Sequence, residues 1–218
     1  MARKVFADLD ILTAAEVNQY LMDQAVMTFA NAAARDAAIP VAQRKQGMVA
    51  YMLDTHLAMQ YHTIGAWSGW APLPGTGVAA WVTYSGQSNN VVTATNTAIR
   101  WSGGVDKLGV YVADTTRFTP NVAGTYAISG VAVFALNSTG IRNAFVAKNG
   151  TAIDGSFVSA LPTTGIVNHA LAIPPALVPM NGTTDYVEIY QYHNAGVALS
   201  NVGANPQRNS LTVVYAGP

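Results

Sequence analysis

The sequence predicts a mainly β protein: a C-terminal jelly-roll β-sandwich preceded by a small N-terminal region with one α-helix. Three observations predict it. From Gly124 to Leu136 the side chains alternate, with Tyr126, Ile128, Ala132, Phe134 and Leu136 on one face and Thr125, Ala127, Ser129, Val131 and Val133 on the other, which is the period of a strand. Beyond residue 78 the chain is a succession of short apolar runs parted by turn residues, without a convincing helical repeat, as in a sandwich or jelly roll. Charge is also uneven: 11 of the 22 charged residues lie in residues 1–60, so the two ends have different surfaces.

Taken in order, residues 1–12 are an apolar lead-in broken by Asp8 and Asp10. Thr13-Ala-Ala-Glu16 has the form of a capping box, and the helix it starts is predicted over about 13–35. Val17, Tyr20, Leu21 and Met27 share its broad face with Gln24, Thr28 and Asn31. That face packs either on the protein's own domain or on a partner. Ile39-Pro40 ends the helical region, Gln46–His56 reads as a short strand and turn, and Trp67 and Trp70 are expected to close a small core. Trp70–Gly77 is rich in Pro and Gly and reads as a linker. The resulting division is an N-terminal region over 1–70, a linker with a lead-in strand over 71–84, and a head over 85–218.

Strands in the head are expected around 79–84, 90–95, 98–101, 109–112, 124–136, 143–148, 151–159, 166–173, 184–193 and 210–215. Asn149-Gly150 and Asn181-Gly182 are hairpin signals. The second face of the 124–136 strand is small and nearly uncharged, which suits a sheet covered on both sides, the second cover being another subunit.

Half the residues are apolar, 10% are charged and the formal net charge is zero, against about 25% charged in a typical soluble domain. This composition gives no basic footprint for nucleic acid and suits an assembled β structure with large buried interfaces. There is no cysteine, hence no disulfide framework and no thiolate metal site. No apolar run approaches the roughly 20 residues of a membrane span. Met1-Ala-Arg-Lys4 leads into Asp8 and Asp10 rather than an apolar run, so no secretory signal is expected. The chain is then made in a cytoplasm and reaches the outside, if it does, as part of a larger particle.

No catalytic constellation emerges. His56 and His62 are six apart, and His169 and His193 lie in or beside strands, where core or turn roles are the ordinary outcome. Asp185 and Glu188, three apart in a strand, point to opposite faces and make no glycosidase pair. Asp106, Asp114 and Asp154 fall in separate turns. A nucleophile elbow and a P-loop are both missing from the sequence. The chain is read as a non-enzyme without cofactor or bound metal. Tyr186, Tyr190 and Tyr192 share one face of a single strand, with Glu188 between them. They serve either in packing or as a subunit interface or ligand face, since tyrosine has an apolar body and a polar tip.

Two resemblances extend this reading. The order Phe118, Pro120, Ala123-Gly-Thr-Tyr126 and the alternating strand, followed by Ala144-Phe-Val-Ala-Lys-Asn-Gly150, resembles TNF-like jelly rolls, the family of the globular heads of complement-type collagenous proteins. That likeness covers roughly residues 85–218. It implies a homotrimer, with aromatic side chains of the inner sheet at the threefold interface, suggested here for Tyr126, Phe134, Tyr186, Tyr190 and Tyr192. Some members bind calcium; only scattered aspartates could serve here. Separately, the layout Val17-Asn-Gln-Tyr-Leu-Met22, Ala33-Ala-Arg-Asp36, Gly47-Met-Val-Ala-Tyr51 and Gly65-Ala-Trp67 resembles the N-terminal modules of minor tail and fibre-like proteins of double-stranded DNA bacteriophages, over about residues 8–70. It implies a virion protein, synthesised in the host cytoplasm, that docks on other virion structural proteins through Val17, Tyr20, Leu21 and Met27 and presents the head to the host surface, with a cell-surface glycan as ligand. A capsid-decorating head fibre is the alternative, and a tail-associated glycan hydrolase a more remote one.

Overall fold

The structure, a computed structural model, describes residues 13, 26–73, 78–83, 90–101, 104–106, 116–162, 168–200 and 208–218. The chain divides into two compact units, residues 1–73 and 74–218.

The first unit is a four-stranded sheet of β1 (Met27–Phe29), β2 (Val49–Met52), β3 (Leu57–Ile64) and β4 (Trp67–Pro72), in that order. β1 runs parallel to β2 and the other pairs are antiparallel. This corrects, over residues 26–35, the helix expected at about 13–35, the rest of which lies outside the described residues apart from Thr13. Its described part holds a strand at Met27–Phe29, and the helix, α1, spans Ala32–Ala38. The start signal is Asn31, whose Oδ1 accepts the amide of Ala34 at 2.9 Å, the N-cap geometry that Asn provides. β-branched and aromatic Thr28 and Phe29 pair readily along β2, and that pairing overrides the helical spacing. Of the docking residues, Met27 therefore lies on a strand, while Val17, Tyr20 and Leu21 lie outside the described residues.

The unit's core gathers Ile39, Ala50, Met52, Leu57, Met59, Tyr61, Trp70 and Ala71. Trp70 meets the Tyr61 ring edge-on at 5.5 Å, and the Arg35 guanidinium lies 4.8 Å from its ring centre. Trp67 is only half-buried and Trp70 fully so. β4 continues through Pro72, so the Pro/Gly-rich stretch begins inside the sheet.

The second unit is a β-sandwich. One sheet has the order β13-β9-β16-β5-β8, formed by β5 (Val78–Thr83), β8 (Gly104–Asp106), β9 (Gly124–Ala135), β13 (Asn168–Met180) and β16 (Ser210–Gly217). The other has the order β11-β10-β14-β7, formed by β7 (Thr97–Ala98), β10 (Arg142–Lys148), β11 (Thr151–Ala152) and β14 (Val187–His193), with β12 (Val158–Ala160) also on β10. β6 (Asn90–Val91) and β15 (Leu199–Ser200) form a small pair.

The alternation of β9 sets the core. Tyr126, Ile128, Ala132 and Phe134 are fully buried, facing Val146 and Ile189 of the other sheet. Gly130 has no room for a side chain: a Cβ there would run into the Ser210 carbonyl oxygen of neighbouring β16 and stand 2.6 Å from Ile189 Cδ1 of the other sheet. Asn149-Gly150, with φ of 51° and 80°, joins β10 to β11 as the hairpin its sequence predicts. Asn181-Gly182 does not make a hairpin, because it links β13 to β14 across the two sheets. Asn181 Oδ1 instead accepts the amides of Thr183, Thr184 and Asp185, an Asx-type turn. The strand expected over 151–159 is split into β11 and β12, and β13 runs seven residues past the expected Ile173 to Met180. Its register shifts between Ile173 and Ala176, where Pro174-Pro175 lack amide donors. An edge strand tolerates that. The strand expected at 109–112 lies outside the described residues.

Candidate functional site: the aromatic face of the head

β14 points Val187, Ile189, Gln191 and His193 into the sandwich and leaves Glu188, Tyr190 and Tyr192 on the outer side, while Tyr186 stands just before the strand. Because β10 pairs with β14 in register, Phe145 lies opposite Tyr190 and Asn143 opposite Tyr192. Cross-strand partners share a face, so the tyrosines gain a phenylalanine the sequence did not associate with them. The Phe145 and Tyr190 rings stack with centroids 5.5 Å apart and planes 13° from parallel. Phe157, from the turn before β12, extends the stack: its ring is 6.1 Å from Phe145 at 23°, and the residue is 56% exposed.

Glu188 sits at the centre of this face and is only 5% exposed. Its carboxylate is held by three groups. Thr116 Oγ1 donates to Oε1 at 2.5 Å, Tyr190 Oη donates to Oε2 at 3.0 Å, and Arg117 Nε lies 3.6 Å from Oε1. The Arg117 guanidinium also lies 3.9 Å from the Tyr186 ring centre, a cation–π contact. Burial first, and then the bond to the Glu188 carboxylate, raise the Tyr190 pKa above its ordinary value, so the hydroxyl stays a donor. The buried negative charge is therefore compensated locally, as burial of a carboxylate requires.

The five tyrosine and phenylalanine positions do not form one site. Tyr186, Tyr190 and Tyr192 share this face. Tyr126 and Phe134 belong to the other sheet and are fully buried between the sheets. Tyr126 donates to Val122 O at 2.9 Å and meets Phe118 and Tyr215 edge-on. Burial, then Tyr215, raise its pKa. Their side chains are core, which corrects their assignment to an interface or ligand face: inward alternation in β9 points them to the opposite sheet. Phe145, Phe157, Thr116 and Arg117 were missed. A signal for Phe145 was its place in an alternating strand, but its partner across the sheet could not be read from spacing.

Asp185 is separate from this face. Burial acts to raise its pKa, but Lys148 Nζ at 2.8 Å, Asn149 Nδ2 at 2.8 Å and the Asn181 amide at 2.9 Å outweigh it and hold the carboxyl below its ordinary value. Asp185 and Glu188 do not pair. No group of three or more His, Cys, Asp or Glu residues among the described residues could hold a metal ion. No described helix is long and apolar enough to cross a membrane.

The opposite outer surface is of another kind. Thr125, Ala127, Ser129 and Val131 of β9, Thr212, Val214 and Ala216 of β16, and Ala170, Ala172, Leu177 and Pro179 of β13 point away from the core. None is charged, and most are small.

No protein-family model matches the chain, and no curated protein matches it. Among solved structures it is similar to the vertex protein P5 of PRD1, at 11% identity and a TM-score of 0.46, over 65% of this chain and 99% of that one. It is also similar to the VP2 subviral particle of infectious bursal disease virus, at 12% identity and a TM-score of 0.27, over 72% of this chain and 41% of that one. The β-sandwich assignment rests on the chain's own sheets.

Proposed function

We propose that the chain is a structural protein of a bacteriophage virion, in a tail-tip or fibre position. It docks through its N-terminal unit and presents the C-terminal sandwich as a homotrimeric head. The resemblance of residues 8–70 to phage tail modules supports the docking role. The observation that carries the assembly is the uncharged, small-residue face of β13, β9 and β16. Small side chains let a second sheet approach closely, and a face without charge avoids the large cost of burying an ion when a copy covers it, leaving only the hydroxyls of Thr125, Ser129 and Thr212 to be paired. The TNF-like resemblance supports three copies.

The aromatic face of β10 and β14 is then the surface turned to the host. A flat, partly exposed run of rings suits the C–H faces of sugar rings, and tyrosine hydroxyls supply hydrogen bonds at the rim. Three copies convert weak single contacts into avidity.

Light scattering of the purified chain tests the assembly: a mass of three copies is expected, and a stable monomer overturns it. Labelling of intact particles with an antibody to residues 85–218 tests the position. Label at the tail is expected, and label on the capsid replaces the fibre reading with capsid decoration.

A further inference from the structure

The C-terminal ends of β9 and β14 and the N-terminal ends of β10, β13 and β16 meet at one end of the sandwich. Its interior is unusually polar. Arg142 is completely buried and donates to Thr139 O, Ile141 O and Asn137 O at 2.9, 3.0 and 2.9 Å. It therefore gathers the 137–141 turn around a cation that no described carboxylate balances. His193, also completely buried, lies opposite it on β14. His193 Nε2 is 2.7 Å from Val91 O, and Nδ1 is 3.3 Å from the Ala195 amide nitrogen. A carbonyl accepts and an amide donates, so Nε2 carries the hydrogen and Nδ1 the lone pair, and the ring is neutral. The ring also touches Phe134 edge-on at 6.5 Å. His169 is paired with Phe134 on β13 and is 9% exposed. Among the described residues, neither of its ring nitrogens has a hydrogen-bond partner.

We infer that this end of the head is an acid-sensitive latch, in which His169 and His193 must both be neutral for the 137–141 turn and β6 to stay packed, and protons on these rings beside the buried Arg142 cation open it. The facing groups support this. Arg142 comes from β10 and His193 from β14, and Arg208 stands just before β16. Phe134 on β9, Val158–Ala160 on β12, and Gln191 and Asn209 beside the rings do not titrate. Glu188 points to the opposite side of β14. A proton on His169 adds a second buried cation without a counter-charge. A proton on His193 Nδ1 turns the acceptor of the Ala195 bond into a donor.

The sign follows from burial. Burial first, then Arg142, lowers the His169 pKa. For His193, burial lowers it, and the Val91 bond opposes this only in part. The unfolded chain therefore takes up protons before the folded one. Stability is fully present above the unfolded imidazole value of about 6.5, and is lost as pH falls from there through the folded values.

The test uses the full chain, between about pH 7.5 and about pH 5. The melting temperature is expected to fall by several degrees. Amide exchange at residues 137–142 and 193–195 should rise by about tenfold or more, while the far end of the β9–β13 ladder, at Tyr126 and Val178, changes less. His169→Leu should flatten the pH dependence; an unchanged dependence overturns the proposal. NMR titration of the unaltered chain gives a second reading that needs no variant. Both imidazoles should titrate below the unfolded value, and either one titrating at or above it overturns the latch.

Discussion

Along β9, β13 and β16 the outward side chains are Thr125, Ala127, Ser129, Val131, Thr212, Val214, Ala170 and Ala172, whereas along β10 and β14 they are Phe145, Glu188, Tyr190 and Tyr192. Both sheets bury one face in the same core, so the difference lies only in what they turn outward. The first face carries no charge, only the hydroxyls of Thr125, Ser129 and Thr212 among small apolar side chains, and on the proposed reading a second copy covers it. The second is complete in itself, since Glu188 is compensated by Thr116, Arg117 and Tyr190 within the chain. A face that settles its own charge can stay in water and meet a ligand. On the proposed function, the contrast places assembly on one sheet and recognition on the other.

The sharpest way to break this assignment is to place a charge at the centre of the small face. Ala127→Arg should dissociate the proposed homotrimer, because an unpaired buried charge costs about 3–5 kcal/mol. Light scattering should then report single copies, while Tyr186→Ala leaves the mass unchanged. The reverse pattern would exchange the roles of the two faces. Next in size is Glu188→Gln, which removes the charge that Arg117 and two hydroxyls satisfy. Denaturant unfolding should show a loss of about 1–3 kcal/mol, with the assembly intact.

A smaller effect belongs to Asp185 at the turn end. Its pKa is depressed in the folded chain, so its contribution is present above the unfolded carboxyl range and is lost as pH falls through the folded value. Lys148→Met should diminish this acid-side loss in a melting-temperature profile, and an unaltered profile would show that Lys148 contributes little. The smallest stability effect is expected from Phe157→Ala, within about 0.5 kcal/mol, since the ring is largely exposed. The same variant should weaken retention of the chain on host wall polysaccharide, and undiminished retention would remove Phe157 from the recognition face.

The strand character of 124–136, the Asn149-Gly150 hairpin and the mainly β class were legible because each depends on neighbours in sequence: side-chain period, β-branching and positive-φ turn residues. The inward set Tyr126, Ile128, Ala132 and Phe134 was legible too, as one face of an alternating run, but Leu136, expected on the same face, lies past the end of β9 and is 49% exposed. Which environment that face meets was not, and Tyr126 and Phe134 became core residues because a second sheet lies over them. The region around residue 27 shows the same limit: helical spacing is a local preference, and pairing with β2 outweighed it in Met27–Phe29. The grouping of Phe145 and Phe157 with Tyr190, of Thr116 and Arg117 with Glu188, and of Arg142 with His169 and His193 was decided by tertiary structure alone. Each group joins residues far apart in the chain, and register and sheet packing, which no local pattern encodes, brought them together.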